Sequence, residues 1–512
     1  MEFNWSLMFS SYAAVFTPSI LLWICIGTAA GIALGALPGL TATMGVALLV
    51  PLTFGRPALE SISMLMGIYC GAMYGGAISA ILIRTPGTPA AAATVLEGYP
   101  MARRGEAGRA MAMALFASFF GGVVGAVVMT FASPFISSMA LEFGPVEYFG
   151  LAVFGLSVIV SISGRSLIKG MMSAFFGLLI CTIGFDPVSG FPRYTFGMVE
   201  MLEGPPFIPT LMGLFAVSEV FNEVQKSNVV EQVKAKLDQY LPSWKDIKYC
   251  FKELTRSSLI GTGVGAIPGA GGDIAAFIAY GEAKRASKNP ERYGKGEIEG
   301  LAASECANNS CSCGAMIPLL SLGVPGDAVT AVLLGAFIIQ GLEPGPMLYK
   351  DHIDIVYQIF ASVMLAQFAM QFIGMVGIRF FAKVVTVDRA ILTPAIFVLS
   401  MVGSYAMRSN IFDVYTTLAF GVLGYIMTRY DYPLSPILLA LILGPMAEAN
   451  MRRALVISSG DLSILVSRPI AVGLMILAII SLVLSIRGHQ KVEARMKEME
   501  KEFEKVAGEK ED

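Results

Sequence analysis

Long apolar runs separated by short polar stretches form the dominant pattern of the chain. A helix needs about 20 apolar residues to cross the hydrocarbon core of a bilayer. Runs of this kind lie near residues 14–37, 61–83, 109–132, 146–163, 166–184, 206–224, 353–378, 390–407, 411–428 and 468–486. Shorter or broken apolar stretches lie near residues 40–54, 86–97, 257–282, 303–323, 326–341 and 434–447. Because the runs lack the period-2 alternation of barrel strands, the pattern predicts an all-α polytopic membrane protein with about 11–13 membrane segments.

The amino-acid composition supports this fold class. Hydrophobic residues make up 55% of the 512 residues and charged residues 14%. An average soluble protein carries about 25% charged residues, so the chain lacks the polar surface of a soluble domain. The formal net charge of -2 provides no overall basic field for binding nucleic acid. The two histidines, His352 and His489, fall in a loop and in the tail, which argues against histidine-dependent catalysis and against a multi-His metal site.

The distribution of charge predicts the membrane topology. Charged residues concentrate in 226–256, in 284–299 and in 487–512. The positive-inside rule places all three segments in the cytoplasm and places the N-terminus, which has no Lys or Arg before Arg56, on the opposite side. The apolar stretch 257–282 joins two of these cytoplasmic segments but is too short to cross twice, so it predicts a re-entrant hairpin. The first residues carry no basic n-region, and we predict no removable signal peptide.

Three short motifs recur in the second half of the chain in the same order. The pairs are 35–39 (GALPG) with 265–269 (GAIPG), 85–87 (TPG) with 324–326 (VPG), and 96–101 (LEGYPM) with 342–347 (LEPGPM). One Pro-Gly match carries little weight because turns are rich in both residues, but three matches in register predict an internal duplication. The offsets of 230, 239 and 246 residues imply insertions in the second copy.

Basic residues indicate that the two copies are inverted relative to each other. Arg103 and Arg104 follow the first copy of the third motif, whereas Lys350 accompanies two aspartates after the second copy. Arg452 and Arg453 disagree with this scheme, because it places them outside. The predicted organisation is a first membrane repeat at 1–225, a charged cytoplasmic connection at 226–256, a second membrane repeat at 257–466, a last transmembrane helix at 467–487 and a polar cytoplasmic tail at 488–512.

Four Pro-Gly pairs interrupt apolar stretches and predict broken helices. Proline lacks an N–H and glycine lacks a Cβ, so the helix unwinds there, and the helix that restarts offers free N–H groups that favour an anion. Short, broken segments in corresponding halves of inverted repeats mark the binding site of secondary transporters. The predicted substrate-binding residues are Pro38, Gly39, Thr41, Thr43, Pro86, Gly87, Thr88, Pro268, Gly269, Gly271, Pro325 and Gly326.

Other interpretations of the four breaks and of the residues beside them are open. The first break is also typical of a kink between packed helices. Asp327 could cap the half-helix that follows the fourth break. Arg84, beside the second break, could pair with a carboxylate or only orient the segment in the membrane. The glycine-rich run 268–273 partly resembles a dinucleotide-binding fingerprint, but no βαβ pattern surrounds it.

A polar run at 305–314 (ECANNSCSCG) lies inside an apolar segment. Polar residues at membrane depth are costly and are functional candidates by default. Asn308, Asn309 and Ser310 offer neutral oxygens that suit a hard cation such as sodium. We predict these three as coupling-ion ligands together with Asp273, which could instead be a helix N-cap. The cysteines lack the CxxC spacing of zinc sites and are expected to be packing residues, so no metal other than sodium is expected.

These motifs together resemble the large membrane subunit of the tripartite tricarboxylate transporters (TctA-like proteins). The resemblance rests on residues 35–55, 67–82, 85–110, 265–284, 300–327 and 341–346. It covers nearly the whole chain and becomes weaker towards the C-terminus. The polar run has fewer alanines than the family pattern, and Arg84 stands where a neutral residue is expected; both differences leave the substrate open.

The resemblance implies a permease of the bacterial inner membrane that works with a small membrane subunit and a periplasmic solute-binding protein. We therefore expect binding-protein-dependent symport of a small organic carboxylate, tricarboxylate-like, driven by a sodium or proton gradient. The N-terminus would be periplasmic and the C-terminus cytoplasmic, and one repeat-derived unit would move against a scaffold to alternate access. The sequence has no Walker A motif for direct use of ATP and no constellation typical of an enzyme. A passive channel and a non-transporting membrane scaffold are the alternatives.

Overall fold

The computed structural model describes residues 4–162, 166–224, 239–483 and 486. The α-helices are α1 (Trp5–Val15), α2 (Pro18–Ala36), α3 (Ala42–Leu49), α4 (Ala58–Ile83), α5 (Ala92–Arg103), α6 (Ala107–Ala140), α7 (Pro145–Ile162), α8 (Leu167–Ile180), α9 (Phe207–Leu211), α10 (Ser218–Val224), α11 (Trp244–Gly265), α12 (Gly272–Ala286), α13 (Ile298–Leu322), α14 (Ala328–Ile339), α15 (Pro346–Asp351), α16 (Ile353–Val384), α17 (Arg389–Arg408), α18 (Ile411–Arg429), α19 (Ser435–Ile457), α20 (Ile464–Ser467) and α21 (Pro469–Val483). A π-helical turn, Met212–Val217, makes α9 and α10 one continuous element. Strands β1 (Gly184–Phe185) and β2 (Pro192–Arg193) form an antiparallel pair.

Seven helices of the described part of the chain are long and apolar enough to cross a membrane. They are Pro18–Ala36, Ala58–Ile83, Ala107–Ala140, Phe207–Val224, Ile353–Val384, Ala390–Arg408 and Ile411–Arg429. Five shorter apolar helices accompany them: Ala42–Thr53, Pro145–Val158, Leu167–Ile180, Ala328–Ile339 and Pro469–Val483. The prediction of an all-α polytopic membrane protein is therefore confirmed.

The chain divides into two compact units, and each predicted repeat contributes to both. Unit 1 comprises Met1–Glu142 and Pro206–Ile426, and unit 2 comprises Phe143–Pro205 and Met427–Asp512. In unit 1, α4 and α13 are the central helices and are buried along nearly their whole lengths. Helix α2 packs against α4, α6 and α11 pack against α13, and α16 contacts α2, α4 and α6.

The interhelical contacts of unit 1 repeat at the offsets found in the sequence. A Cβ on Gly35 of α2 would collide with the carbonyl oxygen of Ala72 in α4, and a Cβ on Gly265 of α11 would collide with that of Cys311 in α13. The glycines are 230 residues apart and the residues that they face are 239 apart, as in the motif pairs. Glycine at such positions lets two backbones approach closely. This correspondence supports the predicted duplication, while the inversion of the copies remains a prediction.

Helix α11 begins earlier than the apolar pattern indicates. It starts at Trp244, inside the segment predicted to be a charged connection, with Ser243 as its N-cap. The helix is amphipathic: Cys250 and Leu254 are buried, while its three lysines, Lys245, Lys248 and Lys252, are exposed. A count of consecutive apolar residues misses such a helix, because its charges lie within the same turns as its buried residues.

Unit 2 contains a charge network between the strand pair and α19. Arg193 Nη1 lies 2.6 Å from Glu448 Oε1, and Arg452 Nη1 lies 2.6 Å from Asp186 Oδ2. The backbone N–H of Ser189, with Arg452 as a further contributor, lowers the pKa of Asp186 to about 2. Arg452 therefore forms ion pairs with Asp186 and Glu448, whose lowered pKa values keep both carboxylates ionised at neutral pH. Arg452 is one of the two arginines that the inverted scheme places on the outer side.

Candidate functional site

The first Pro-Gly break separates α2 from α3. Gly39 adopts a left-handed backbone conformation (φ +90°), which favours glycine. Thr41 is the N-cap of α3, and its hydroxyl accepts the backbone N–H of Met44 at 3.2 Å. Pro38 and Gly39 line a small cavity of about 10 Å³ with two glutamates of α10, Glu219 and Glu223. Thr43 is buried in the first turn of α3. The predicted anion-binding tip therefore lies beside two acidic side chains.

The second break packs against the end of α2. Gly87 donates its backbone N–H to the carbonyl oxygen of Gly76 at 3.3 Å, and a Cβ on Gly87 would collide with the carbonyl oxygen of Gly35. Thr88 starts the short 3-10 turn Pro89–Ala91 that leads into α5, but its side chain caps no N–H. The Thr88 hydroxyl is buried and has no hydrogen-bond partner among the described residues.

The third and fourth breaks contact each other directly. Gly269, at φ +86°, donates its N–H to the carbonyl oxygen of Gly326 at 2.7 Å. A Cβ on Gly326 would touch the backbone of Ala315, so this break is tightly packed. Pro268 and Pro325, which precede the two glycines, are both buried.

Capping divides the four half-helices into two kinds. Helix α14 has a capping box, in which the Asp327 carboxylate accepts the N–H of Thr330 at 2.7 Å and the Thr330 hydroxyl accepts the N–H of Asp327 at 2.8 Å. Helix α3 is capped by Thr41. Helix α12 begins after Gly271, which has no side chain to serve as a cap, and Thr88 does not cap its own turn. The capping role expected for Asp327 is confirmed, and two of the four N-termini keep N–H groups without a side-chain cap.

The two uncapped N-termini are neighbours. Helix α12 contacts the turn Pro89–Ala91. A Cβ on Gly272 would lie 2.8 Å from Asn308 Oδ1, 2.9 Å from the Met73 side chain and 3.3 Å from the Ala90 Cβ. Asn308 donates its Nδ2–H to the Met73 carbonyl at 3.3 Å, while its Oδ1 is buried without a partner in the described part of the chain. The structure thus brings the start of α12, the Pro89–Ala91 turn and Asn308 together in unit 1, while the Thr88 hydroxyl that precedes the turn lies against Gly76 of α4.

The other predicted ion ligands face different surroundings. Asn309 donates its Nδ2–H to the sulfur of Met370 at 3.2 Å. Ser310 donates to the Ala307 carbonyl of its own helix at 3.2 Å. Asp273 is half-buried in the first turn of α12. Among the described residues no group of three or more His, Cys, Asp or Glu side chains could hold a metal ion.

A hydrogen bond between the two predicted repeats was not predicted from the sequence. The Tyr69 hydroxyl of α4 donates to Asp327 Oδ2 at 2.6 Å, and both residues are buried. Tyr69 and Asn308 are 239 residues apart, so the two copies place different polar side chains at one helix position, and each reaches towards the other copy. A tyrosine in an apolar run gives no signal for such a bond, because tyrosine is also common in helix cores.

Two buried glutamates were also missed as candidates. Glu305 belongs to the polar run, and the prediction favoured the amides beside it. Its carboxyl accepts hydrogen bonds from the hydroxyls of Thr94 and Ser118. Glu97 accepts four hydrogen bonds. One comes from the Tyr280 hydroxyl at 2.8 Å, and three come from the backbone N–H groups of residues 294, 296 and 297 at 2.5–2.7 Å. An acidic residue inside an apolar segment is the signal that could have identified both.

A charged cleft of about 1040 Å³ lies at the ends of α5, α11 and α13. Arg109 donates to both oxygens of Asp246, at 2.5 and 3.1 Å, and lowers the pKa of that carboxyl. Arg104 donates to the carbonyl oxygens of Lys295 and Gly296. Acidic and basic side chains both line the cleft. It therefore lacks the electrostatic field of one sign that attracts a charged substrate to its site.

Comparison with known proteins shows that the chain matches one protein family over most of its length. The profile of the tripartite tricarboxylate transporter TctA family matches residues 21–439. An Agrobacterium vitis protein named "uncharacterized 52.8 kDa protein in TAR-I ttuC′ 3′ region" is 38% identical over 476 residues, which is 93% of this chain and 95% of that protein. A second, from the TAR-II ttuC′ 3′ region of the same organism, is 37% identical over 226 residues, 44% of this chain and 93% of that protein. No solved structure matches the chain.

Proposed function

Because the chain belongs to the TctA family of tripartite tricarboxylate transporters, and is therefore a membrane subunit of a transporter, we propose that it is the permease of a binding-protein-dependent symporter. It would import a small organic carboxylate across the bacterial inner membrane, with a small membrane subunit and a periplasmic solute-binding protein as partners. The N-terminus would be periplasmic and the C-terminus cytoplasmic. A sodium or proton gradient would drive the import.

The observation that carries this proposal is the meeting of two uncapped N-termini beside two unpartnered polar atoms. The N–H groups at the starts of α12 and of the Pro89–Ala91 turn favour an anion through their partial positive charge. The Thr88 hydroxyl can donate to the same carboxylate, and Asn308 Oδ1 can accept from a hydroxyl or coordinate a cation. The family's broken-helix segments would thus bind substrate at the α12 end of unit 1.

The distribution of basic residues favours the same mode of binding. No Lys or Arg side chain is buried among the residues whose burial the structure describes. A substrate anion in the membrane core must therefore be held by backbone N–H groups and hydroxyls. Weak, distributed contacts of this kind allow release on the far side, which a buried Arg–carboxylate pair would slow.

Of the predicted coupling-ion ligands, Asn308 has the strongest support. Of these four residues, Asn308 is the one with a side-chain oxygen, Oδ1, that is buried and has no partner among the described residues. Asn309 Oδ1 already accepts from the Ser312 hydroxyl at 3.4 Å, and the Ser310 hydroxyl donates to the Ala307 carbonyl. If sodium drives the import, an ion bound at Asn308 would lie close enough to the substrate site to be carried with the anion; a proton would need a titratable group instead.

The test is uptake of labelled di- and tricarboxylates, citrate among them, into proteoliposomes that contain the chain and its small partner subunit, with a binding protein outside. Thr88→Val keeps the side-chain shape and removes the hydroxyl. We expect KM to rise about tenfold, because a hydrogen bond to a charged group contributes about 1.5–3 kcal/mol.

Thr262→Val is the matched control, because the Thr262 hydroxyl is buried but satisfied by the carbonyl of Ser258 in its own helix. Its KM should stay within about twofold of wild type. Equal effects of the two substitutions would exclude the α12 end of unit 1 as the substrate site. Substrate that equilibrates without accumulating would indicate a passive channel, and no transport with any partner would indicate a scaffold.

A further inference from the structure

Glu305 lies at the centre of unit 1, where three helices meet. It belongs to α13 and has no exposed surface. The Thr94 hydroxyl of α5 contacts Oε1, and the Ser118 hydroxyl of α6 donates to Oε2 at 3.1 Å. Helices α5 and α6 belong to the first predicted repeat and α13 to the second, so the carboxyl sits where the two copies join.

No cationic side chain balances this carboxyl in the part of the chain that the structure describes. The titratable groups that interact with it are Tyr74 of α4 and Cys306 of α13. Helices α5 and α6 present the two hydroxyls, α11 presents Leu254 and Cys250 to the same core, and α16 presents Met370. An ionised carboxylate without a cation in an apolar interior is expensive, and two hydroxyls offset only part of that cost. The arrangement therefore suits a neutral carboxylic acid.

Glu97, a second buried glutamate of the same unit, has very different surroundings. It lies on α5, three residues after Thr94, and it accepts three backbone N–H groups and a tyrosine hydroxyl. A carboxylate with several backbone donors is stabilised in its charged form. Glu305 has half as many donors, and both are hydroxyls that can turn to accept a hydrogen bond instead.

Buried polar atoms without partners continue from Glu305 towards α16. The Tyr74 hydroxyl has no hydrogen-bond partner within the described residues, nor do the Oε1 atoms of Gln367 and Gln371. Gln367, Gln371 and Gly374 share one face of α16, and a Cβ on Gly374 would lie 3.2 Å from the Tyr74 ring. Such groups can relay a proton through hydrogen bonds or through water between them.

We propose that the coupling ion is a proton and that Glu305 carries it. The proposal rests on the proposed symport function and names its driving ion. One proton would bind a carboxylate oxygen of Glu305 when the site faces the outer side, and the same O–H bond would break when the proton leaves to the cytoplasm. The loaded protein would cross with Glu305 as the neutral acid, and the empty protein would return with the ionised carboxylate held by the Thr94 and Ser118 hydroxyls, so that one proton crosses with each substrate.

The experiment separates net transport from exchange in proteoliposomes that contain the complete transporter. Net uptake of radiolabelled citrate, or of the panel carboxylate that the wild type takes up best, is driven by an inward gradient of one pH unit, with the membrane potential clamped. For one proton per substrate the wild type should accumulate about tenfold, since one pH unit is a tenfold ratio of proton activity. Exchange is measured with the same carboxylate on both sides and no gradient.

The informative variant is Glu305→Gln, which keeps the shape of the side chain but cannot release a proton. Accumulation should fall to the equilibrium level, while exchange should continue at a similar rate and lose its pH dependence. Glu305→Asp should restore part of the accumulation. The control is Glu253→Gln, because Glu253 is buried in the same unit but is paired with Arg256; it should keep both activities.

Three results would overturn the proposal. One is gradient-driven accumulation by Glu305→Gln at the wild-type level. A second is loss of exchange and accumulation together in a Glu305→Gln protein that elutes as a folded complex, since that indicates a structural role. The third is wild-type uptake driven by sodium with no proton entry seen by a pH-sensitive dye inside the vesicles. That result leaves the symporter intact and excludes the proton, whereas a wild type that transports nothing refutes the proposed function itself.

Discussion

Glu97 and Glu305 are both buried glutamates of unit 1, and their neighbours assign them different roles. Glu97 joins α5 to α12 through the Tyr280 hydroxyl and to the segment before α13 through three backbone N–H groups. Hydrogen bonds from N–H groups to an ionised carboxylate are among the stronger ones in proteins. Glu97 thus acts as a clamp between the two predicted repeats. Glu305 accepts only two hydrogen bonds, both from hydroxyls, among the described residues, and this is compatible with a change of its charge.

Replacing Glu97 by glutamine tests the clamp. The amide keeps one acceptor oxygen but loses the charge and places an NH₂ against backbone donors. We expect a loss of about 2–4 kcal/mol of unfolding free energy, because a buried charged hydrogen-bond network loses one of its partners. Thermal unfolding of the purified protein in detergent measures it.

Glu343→Gln is the control for this change, because Glu343 occupies the corresponding place in the second LE motif and is exposed. It should leave the unfolding temperature unchanged. Equal unfolding temperatures for Glu97→Gln and Glu343→Gln would show that the Glu97 contacts contribute nothing.

At the scale of secondary-structure elements, the two central helices end alike but with different residues. Helix α4 ends at Ile83 and α13 at Leu322, and each is followed by a residue in the left-handed conformation. That residue is Gly323 in the second copy (φ +71°) but Arg84 in the first (φ +58°). A residue with a Cβ is strained there. The exposed Arg84 guanidinium lies 5.7 Å from the centre of the Tyr99 ring, which compensates only weakly.

This difference predicts that substitutions at Arg84 and Gly323 change the stability of the protein in opposite directions. Arg84→Gly should stabilise the protein by about 0.5–1 kcal/mol, because it removes the strain of the left-handed conformation. Gly323→Ala should destabilise it by more than about 1 kcal/mol, because the new Cβ is strained and would lie 2.7 Å from the Pro344 carbonyl oxygen. Unfolding temperatures that move in the same direction would refute the equivalence of the two helix ends.

An ion pair between Asp246 and Arg109 links α11 to α6, in addition to apolar packing such as that of Phe251 on Phe120. The hydrogen bonds from Arg109, followed by that from Ser243, lower the pKa of the Asp246 carboxyl. A pKa that is lower in the folded state stabilises the fold at pH values above the unfolded value of about 3.9, and this contribution disappears as the pH falls through the folded value.

Arg109→Gln should therefore lower the unfolding temperature at pH 7, and the difference from wild type should shrink as the pH falls below about 4. The expected effect at pH 7 is about 1 kcal/mol, because Arg109 is partly exposed. Arg285→Gln breaks an exposed pair with Glu282 and serves as the control, with no measurable change expected. A difference that persists unchanged at low pH would show that Arg109 acts through packing and not through its charge.

At the scale of the whole molecule, the sequence predicted the elements better than the contacts between them. Apolar runs and Pro-Gly breaks are local signals, so the spans and the four breaks lie close to where they were predicted. The Tyr69–Asp327 bond joins residues 258 positions apart, and the Glu97 clamp joins residues almost 200 apart. No local pattern encodes such pairs, and the amphipathic start of α11 is hidden by its own charges.

The same limit applies to the candidate site. Proline and glycine identified four half-helices that could bind an anion, but which N-termini are free depends on capping. Thr41 and Asp327 close two of them, while Gly271 and Thr88 leave two open. The sequence therefore predicts the class of site, and the free N-termini are the reason why we propose that it lies at the contact between α12 and the Pro89–Ala91 turn.

The most direct test of the account is uphill transport by the wild-type protein. Proteoliposomes with the chain, its small partner and an external binding protein are given labelled citrate or another panel carboxylate at equal concentration inside and outside. An imposed inward proton gradient is then compared with an inward sodium gradient. The account predicts that the internal concentration rises above the external one under a cation gradient, and that it returns to equality when an ionophore collapses the gradient. Label that only equilibrates under both gradients, from a complex shown to be intact, would contradict secondary active transport.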